Sequence, residues 1–210
     1  MRVIINTYKR MRVIIMAEYS FFALASRMKY INRWGLMRNL RNENLTEHSA
    51  ECAMLSHALA LVGNRYFGKN YDENKIAVYA LYHDMSEIFT GDLPTPVKYF
   101  NDSIRDSYKS LERNALDNAL SKLPDELKGD FAQVLLFEEL DDEAKKIVKA
   151  ADKLCAYLKC VEEYKNGNNE FKKALESSEK IVSDLGDAVP EVKWFMENVA
   201  PSYEKSIDEL

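Results

Sequence analysis

The run Tyr79-Ala-Leu-Tyr-His-Asp-Met-Ser-Glu-Ile88 places the dipeptide His83-Asp84 inside a stretch with helical character. Adjacent helix residues point about 100° apart, so this imidazole and this carboxylate can both turn toward one divalent cation. Glu87 follows at i+4 from His83 and i+3 from Asp84, which directs its side chain between theirs. Because the chain has only three histidines, the pattern predicts a metal site with a further carboxylate beside it.

The composition is typical of a soluble helical protein of one domain. Of 210 residues, 47% are hydrophobic and 30% charged, which is enough apolar mass for a core. Seven glycines and five prolines are few for this length and favour long helices. The net charge of -5 argues against a partner such as a nucleic-acid polymer, which requires a concentrated basic face. No run of 18 apolar residues occurs, so we expect no membrane span and a cytoplasmic location.

The first sixteen residues are predicted to be an extension rather than part of the domain. Met1-Arg-Val-Ile-Ile5 recurs as Met11-Arg-Val-Ile-Ile15. The segment is basic and apolar like a weak signal peptide, but its apolar runs are short and its cleavage site is poor. We therefore expect residues 1–16 to reflect a misassigned start codon and residues 17–210 to form the domain.

Three cysteines, Cys52, Cys155 and Cys160, form an odd set without a CxxC pair. A zinc knuckle requires closer thiol pairs, so this type of site is not expected. The sequence instead predicts buried, small apolar side chains in a reducing compartment.

Hydrophobic periodicity predicts an all-α fold, and no segment shows β alternation. The predicted helices are 20–31, 47–66 behind an N-cap at Thr46, 72–89, 103–122, 125–137 and 141–164, followed by two more that break near 186–190. Two segments interrupt this pattern. The arginine-rich stretch from Asn32 to Arg41 has no helical stripe, and the stretch from Gly91 to Val97 contains two prolines, which predict a rigid non-helical loop.

His48 and Asp152 are the remaining candidates for metal ligands. His48 begins the second predicted helix, whereas His57 lies about 180° around the same helix and is interpreted as an ordinary core or surface residue. Asp152 lies in an apolar stripe, where a carboxylate is unfavourable unless a positive group satisfies it. Lys149 and Lys153 are alternative partners for it at the surface.

The order His…His-Asp…Asp resembles that of the HD-domain metallophosphohydrolases, and the resemblance to bacterial 5'-deoxynucleotidases is closer still. It covers the chain from about Tyr19 to the C-terminus and is most specific in the combination of NRW with GDLPTPVKYF. The shared stretches are Ile31–Trp34, Leu36–Asn39, Thr46–Ser49, Tyr82–Asp84 with Ser86-Glu87, Gly91–Phe100, Leu154–Cys160 and Gly167–Phe171.

This resemblance implies a single HD-domain helical bundle, homodimeric, that removes phosphate from deoxyribonucleoside 5'-monophosphates. It implies one divalent metal ion, such as Co or Mn, that activates water for attack on phosphorus. Its ligands would be His48, His83, Asp84 and Asp152. Glu87 would be the acid/base carboxylate.

The resemblance also implies a set of substrate contacts, to which the ligands Asp84 and Asp152 are expected to contribute. Arg33 would orient the phosphate through its planar donors and take part in catalysis. Trp34 would pack against the sugar and disfavour ribose, since an apolar wall leaves the 2'-hydroxyl without a partner. Asp92 and Thr95 would contact the nucleotide, with Asp92 either accepting from the 3'-hydroxyl or acting as a second candidate acid.

Taken from the residues alone, several alternatives stay open. Glu87 and Arg33 also fit solvated side chains, and Trp34 also fits a core tryptophan. Lys98 is interpreted as surface charge. Another HD phosphohydrolase acting on a cyclic nucleotide or an alarmone would require more histidines and more basic residues, and a non-catalytic nucleotide-binding protein would lack a ligand or Glu87. The segment 191–210 fits either dimer packing or a solvated helix.

Overall fold

A computed structural model of the protein describes residues 19–98, 100–136 and 140–210, so the predicted extension 1–16 lies outside the described residues. The α-helices are α1 Phe21–Ala25, α2 Leu45–Tyr66, α3 Glu73–Tyr82, α4 Glu87–Thr90, α5 Thr95–Lys98, α6 Asp102–Leu120, α7 Asp125–Leu135, α8 Asp142–Lys165, α9 Lys172–Ala188 and α10 Pro190–Asn198. Short 3-10 helices are Ser26–Tyr30, Asn169–Phe171, Ala200–Glu204 and Ile207–Glu209. The described residues contain an isolated bridge between Asn32 and Asn44 but no strand, which confirms the all-α prediction.

The main core lies where α2, α3 and α8 pack together. Leu59, Ile147 and Leu154 are fully excluded from solvent there, and each such side chain contributes roughly 1.5–3 kcal/mol by burial. A second cluster forms around Phe21 and Met85, beneath α1, α6 and α7. This packing fixes α2, α3 and α8 against one another, and each of them carries predicted metal ligands.

Helix α2 begins at Leu45, two residues before the predicted start, and its N-cap is Asn44 rather than Thr46. Asn44 Oδ1 accepts from the backbone N–H groups of Thr46 at 2.9 Å and Glu47 at 3.1 Å, while the Glu47 carboxylate accepts from the Asn44 N–H. This reciprocal capping box satisfies more helix N–H groups than a threonine cap two residues later. It places His48 in the first turn of α2.

The helix predicted over 72–89 is divided, and that prediction is wrong. Helix α3 ends at Tyr82, and the chain continues through turns in which Met85 N–H donates to Tyr82 O and Glu87 N–H to Asp84 O, both at 2.9 Å. These are i+3 bonds, which wind the backbone more tightly than an α-helix. His83 Nδ1 lies 2.7 Å from the Ala80 carbonyl, the acceptor that a continuing α-helix would offer to the Asp84 N–H. The break therefore coincides with the orientation of the His83 ring.

The loop predicted to be non-helical from Gly91 to Val97 contains a one-turn helix, α5, at its end. The N–H groups of Val97 and Lys98 donate to the Pro94 carbonyl at 2.8 and 3.2 Å. A proline is compatible with a first helical turn because the N–H that it lacks has no partner within the helix there. Pro96 occupies such a position, and α5 directs Lys98 toward α4.

The remaining predictions differ in outcome. Asp141 caps α8 as predicted, through Ala144 N–H at 2.8 Å. Helix α7 ends at Leu135, and residue 137, where it was predicted to end, lies outside the described residues. Cys52, Cys155 and Cys160 are buried free thiols, as predicted. No helix in the described ranges is long and apolar enough to cross a membrane.

Candidate active site

Three helices bring four predicted ligands together. His48 from α2 and His83-Asp84 from the end of α3 each offer a ligand atom within 4.8 Å of the others. Asp152 from the middle of α8 joins them, with Oδ1 3.3 Å from His48 Nε2. Asp84 Oδ2 lies 3.4 Å from His48 Nε2 and 3.3 Å from His83 Nε2. The ligand atoms of His48, His83 and Asp84 thus lie close together, and Asp152 joins them beside His48.

The imidazole nitrogens of this cluster are buried without hydrogen-bond partners. Among the described residues, neither nitrogen of His48 nor Nε2 of His83 makes a hydrogen bond, although carboxylate oxygens lie close to them. Buried polar atoms are usually satisfied, so this arrangement suits a bound cation. The Nδ1–H of His83 donates to Ala80 O, which leaves Nε2 free to bind a metal. Two imidazoles and two carboxylates fit a divalent cation of the manganese, cobalt or zinc type.

The electrostatics of the cluster favour positive charge at its centre. Burial and Arg33 lower the pKa of His48, but the carboxylates of Asp152 and Asp84 outweigh them and raise it to about 10. Burial opposes ionisation of the two carboxyls, yet the histidines hold both pKa values below their ordinary range, with Lys153 contributing at Asp152. A divalent cation supplies this positive charge in place of a proton.

Glu87 is buried beside the cluster. The residue is 3% exposed, so the alternative of a solvated carboxylate does not hold. Its Oε1 accepts from Lys98 Nζ at 2.6 Å, and its buried Oε2 has no hydrogen-bond partner in the described part of the chain. Burial and the Asp84 charge raise the pKa of Glu87 to about 8, although Lys98 opposes them. A carboxyl group with this pKa can gain or lose a proton near neutral pH.

A cavity of about 850 Å³ opens above the cluster. Its lining includes six of the predicted site residues, Arg33, Trp34, Asp84, Glu87, Asp92 and Asp152. Burial raises the pKa of Asp92 against the opposing charges of Arg33 and Lys98. The backbone of Thr95 begins α5, but its side chain lies outside the described part of the structure.

Arg33 and Trp34 are held at one wall of this cavity. The Arg33 side chain is 12% exposed, which excludes the alternative of a solvated arginine. Its Nη1 donates to Glu43 Oε1 at 3.1 Å, and its Nη2 lies 3.9 Å from Asp152 Oδ1. Trp34 packs against Phe171 at a centroid distance of 5.5 Å, and its Nε1–H donates to Glu43 Oε2 at 3.1 Å. Both side chains are therefore fixed while they face the cavity.

Two residues at the site were missed by sequence reasoning. Lys98 was interpreted as surface charge, but its side chain is 18% exposed and pairs with Glu87. Its place in the GDLPTPVKYF block was the signal that could have identified it. Glu43 lies in the polar run Asn42-Glu-Asn44 and has no local pattern that distinguishes it from a solvated glutamate.

Solved structures with a similar fold include two HD phosphohydrolases. One from Listeria innocua superposes with a TM-score of 0.75 at 22% identity and covers 88% of both chains. The cyanophage S-2L HD phosphohydrolase DatZ, solved with dA and one catalytic Zn²⁺ ion, superposes with a TM-score of 0.58 at 19% identity, covering 86% of this chain and 96% of that one. At these identities the likeness establishes the fold.

Sequence comparison is more specific. The 5'-deoxynucleotidase of Cronobacter sakazakii and 5'-deoxynucleotidase YfbR of Escherichia coli are each 48% identical to this chain over 195 residues, which is 93% of this chain and 97% of each relative. The model of the YfbR-like 5'-deoxynucleotidase family matches residues 20–203. This chain therefore belongs to the YfbR-like family of 5'-deoxynucleotidases, as the resemblance in its sequence predicted.

Proposed function

We propose that this protein hydrolyses deoxyribonucleoside 5'-monophosphates to deoxyribonucleosides and phosphate, with selectivity against ribonucleotides and little base preference. The observation that carries the proposal is the grouping of buried His48 with the partly buried His83, Asp84 and Asp152, beside a cavity that Glu87 and Arg33 also line. Membership in a 5'-deoxynucleotidase family supports the same reaction.

His48, His83, Asp84 and Asp152 would hold one divalent metal ion of the cobalt or manganese type. When bound, such an ion polarises the phosphoryl group and makes water acidic enough to attack at neutral pH. The unpaired imidazole nitrogens and the low pKa values of both carboxyls support this ligand set.

Arg33 orients the phosphate. A phosphate dianion approaching Asp84 and Asp152 meets their negative charge, which Arg33 and Lys98 offset at the cavity wall. The surrounding carboxylates keep the pKa of Arg33 above its ordinary value, against the effect of burial, so the guanidinium stays charged. Its planar donors suit two phosphate oxygens at once, which a lysine cannot match.

Glu87 moves the proton. Lys98 occupies its Oε1, so the unpaired Oε2 is the atom that carries a proton near neutral pH. As water adds to phosphorus and the bond to the 5'-oxygen breaks, this proton passes to the leaving oxygen, and the Glu87 carboxylate takes up the proton that the water loses. Asp92 then serves as acceptor for the sugar 3'-hydroxyl, with Thr95 as a further nucleotide contact.

Trp34 is the selectivity residue. Its ring lines the cavity and is held on its other side by Phe171. A 2'-hydroxyl facing this ring would lose its water without gaining a partner, which disfavours ribonucleotides.

The partners proposed for this protein are its nucleotide substrates and a second copy of the chain in a homodimer. We propose a cytoplasmic enzyme that binds neither membranes nor nucleic-acid polymers, in keeping with the net charge of -5. Sedimentation of the purified protein tests the dimer, and a monomer at micromolar concentration would contradict it.

Phosphate release from dAMP and AMP, measured in parallel, tests the function. Activity should vanish with chelator, return with Mn²⁺ or Co²⁺, favour dAMP, and collapse in Glu87→Ala. Glu112→Gln, a cavity carboxylate without a proposed role, is the matched control. Equal rates of phosphate release from dAMP and AMP would contradict the selectivity proposed for Trp34. No release from either substrate with metal bound would contradict the proposed reaction and favour a cyclic nucleotide or an alarmone as substrate.

A further inference from the structure

Glu43 lies between two parts of the active site without facing the substrate itself. It ends the loop that begins with Arg33 and Trp34, and it immediately precedes Asn44, the cap of α2. Glu43 is 8% exposed, which is unusual for a glutamate without a structural or functional role. Its backbone and both carboxylate oxygens are engaged.

The two carboxylate oxygens of Glu43 accept hydrogen bonds from two different residues. Oε1 accepts from Arg33 Nη1 at 3.1 Å, and Oε2 accepts from Trp34 Nε1 at 3.1 Å. Oε1 also lies 3.6 Å from Nδ1 of His48. One carboxylate thus contacts the phosphate-orienting arginine and the tryptophan at the sugar wall, and it faces the back of a metal-ligand imidazole.

The backbone around Trp34 requires such a restraint. Among the non-glycine residues that the structure describes, Trp34 is the one with a positive φ, at 58°. This conformation is unfavourable for a bulky residue and persists only where the surroundings enforce it. The N–H bond to Glu43 and the packing on Phe171 are the contacts that hold the ring in place.

Glu43 is itself held rigidly. Arg33 N–H donates to the Glu43 carbonyl, and Leu45 N–H donates to the Ile31 carbonyl, both at 2.9 Å. These two bonds pair the start of the loop with its end. On the far side, buried Glu163 of α8 accepts from the backbone N–H groups of Leu40 and Arg41. The backbone that carries the Glu43 carboxylate is therefore held in place by hydrogen bonds on both sides of the loop.

We propose that Glu43 is a positioning residue that sets substrate affinity through Arg33 and sugar selectivity through Trp34 at the same time. The inference rests on the proposed function, since it assigns a substrate role to the two residues that Glu43 holds. A carboxylate is required because it offers an acceptor to each donor. An amide would turn its own N–H groups toward one of them.

Glu43→Gln tests the proposal, with Glu51→Gln as the matched control. Glu51 lies two turns along α2 and lines a separate cavity of about 440 Å³ that also borders Glu43. With saturating Mn²⁺, we expect Glu43→Gln to raise KM for dAMP about tenfold, a typical effect of removing an outer carboxylate partner, with a smaller change in kcat. The ratio of kcat/KM for dAMP over AMP should fall by about the same factor. Glu51→Gln should change neither quantity.

A readout independent of catalysis is acrylamide quenching of Trp34 fluorescence in a Trp194→Phe background. Trp194 is stacked on Tyr66, a partner that a phenylalanine can also stack against, so the substitution isolates the signal of Trp34. Glu43→Gln should increase the quenching constant of Trp34. Should Glu43→Gln fail to fold, Trp34→Phe removes the bond to Oε2 while it keeps a smaller aromatic ring beside Phe171, and it should lower the dAMP over AMP ratio while leaving KM for dAMP nearly unchanged.

The outcomes separate the possible failures. A lower Tm in Glu43→Gln with unchanged KM, ratio and quenching would reduce Glu43 to a structural residue and overturn the proposal. Full additivity of Glu43→Gln and Trp34→Phe in the ratio would overturn the link to selectivity, because coupled residues are not additive. If the wild type releases no phosphate from any deoxynucleotide, the proposed function fails, whereas the quenching experiment still decides whether Glu43 positions Trp34.

Discussion

Helix α8 carries two buried polar clusters that differ in how their atoms are satisfied. Near its C-terminus, both oxygens of Glu163 accept two hydrogen bonds each, from Lys159, Asn168 and the backbone N–H groups of residues 40 and 41. Near its middle, Asp152 faces His48, whose ring nitrogens make no hydrogen bond among the described residues. Both oxygens of Glu163 have hydrogen-bond partners within the protein. The imidazole nitrogens of His48 lack such partners among the described residues, which suits a bound cation.

Helix α8 therefore contributes to the stability of the fold through Glu163 and to the candidate metal site through Asp152. Glu163 ties the loop after Trp34 to α8, which is a structural task that saturated hydrogen bonds perform well. The unpaired atoms of the metal cluster cost stability in the free protein and are compensated when a cation binds.

Two buried carboxyl groups show the same contrast in their pKa values. Burial disfavours ionisation of Glu163, but the bonds from Lys159, Asn168 and the loop backbone outweigh it and lower the pKa to about 2. Burial and Asp84 instead raise the pKa of Glu87 to about 8, against the single cation Lys98. Environments that push two carboxyls apart in this way are consistent with a structural role for Glu163 and with the proton transfer proposed for Glu87.

The largest expected effect comes from Glu87→Gln. Loss of the proton-transferring group should reduce kcat for dAMP by about 10²–10⁴-fold. The free energy of unfolding at neutral pH should change little, because the raised pKa of Glu87 keeps its carboxyl largely uncharged there. Phosphate release with saturating Mn²⁺ and urea unfolding measure the two quantities. A kcat within a few-fold of wild type would remove Glu87 from the chemistry.

Glu163→Gln should show the opposite balance. Removing one partner of a buried ion pair leaves Lys159 uncompensated, and we expect a loss of about 3–5 kcal/mol in the free energy of unfolding. Glu143, which pairs with Lys146 and Lys69 at the surface, provides the control, since Glu143→Gln should cost much less stability than Glu163→Gln. Urea unfolding checks both variants, and equal losses would show that the anchor is no stronger than a surface pair.

Metal addition should separate the clusters by their ligand requirement. Mn²⁺ at about 100 times its Kd should stabilise the protein by about 2.7 kcal/mol. Asp152→Asn should abolish this gain in stability, and Glu163→Gln should retain it, because only the first residue belongs to the proposed ligand set. Thermal unfolding with and without chelator measures the effect. Retention of the full gain in Asp152→Asn would exclude Asp152 as a ligand.

The two carboxyl groups should give pH dependences of opposite sign. The folded pKa of Glu163 is lowered from 4.5 to about 2, so its stabilising contribution is present above pH 4.5 and is lost as pH falls toward 2. The folded pKa of Glu87 is raised from 4.5 to about 8, so its contribution falls as pH rises through that window. Each slope is at most about 1.4 kcal/mol per pH unit.

Urea unfolding of the metal-free protein across these pH ranges measures both slopes. Glu163→Gln should flatten the acidic limb alone, and Glu87→Gln should flatten the decline between pH 4.5 and 8 alone. A change in the other limb in either variant would contradict the assignment of opposite environments.

Sequence reasoning succeeded where chemistry was encoded locally. Apolar periodicity predicted the helices. The dipeptide His83-Asp84, in a chain with three histidines, indicated the candidate metal site, because few residue types can supply such ligands. It failed at boundaries that depend on competing contacts. The Asn44 capping box displaced Thr46, and the turn at His83 interrupted a pattern that looked continuous.

The helical fold, the family and the candidate metal ligands were predictable from the sequence, because periodicity and short motifs depend on residues that are close together along the chain. Only the tertiary structure decided that Glu87 is buried against Lys98 and that Glu43 joins Arg33 to Trp34. It also decided that Glu163 anchors a loop 123 residues away. The sequence does not distinguish a solvated glutamate from one that is buried beside a cation. The pKa and the role of a glutamate depend on the groups that tertiary packing places next to its carboxyl.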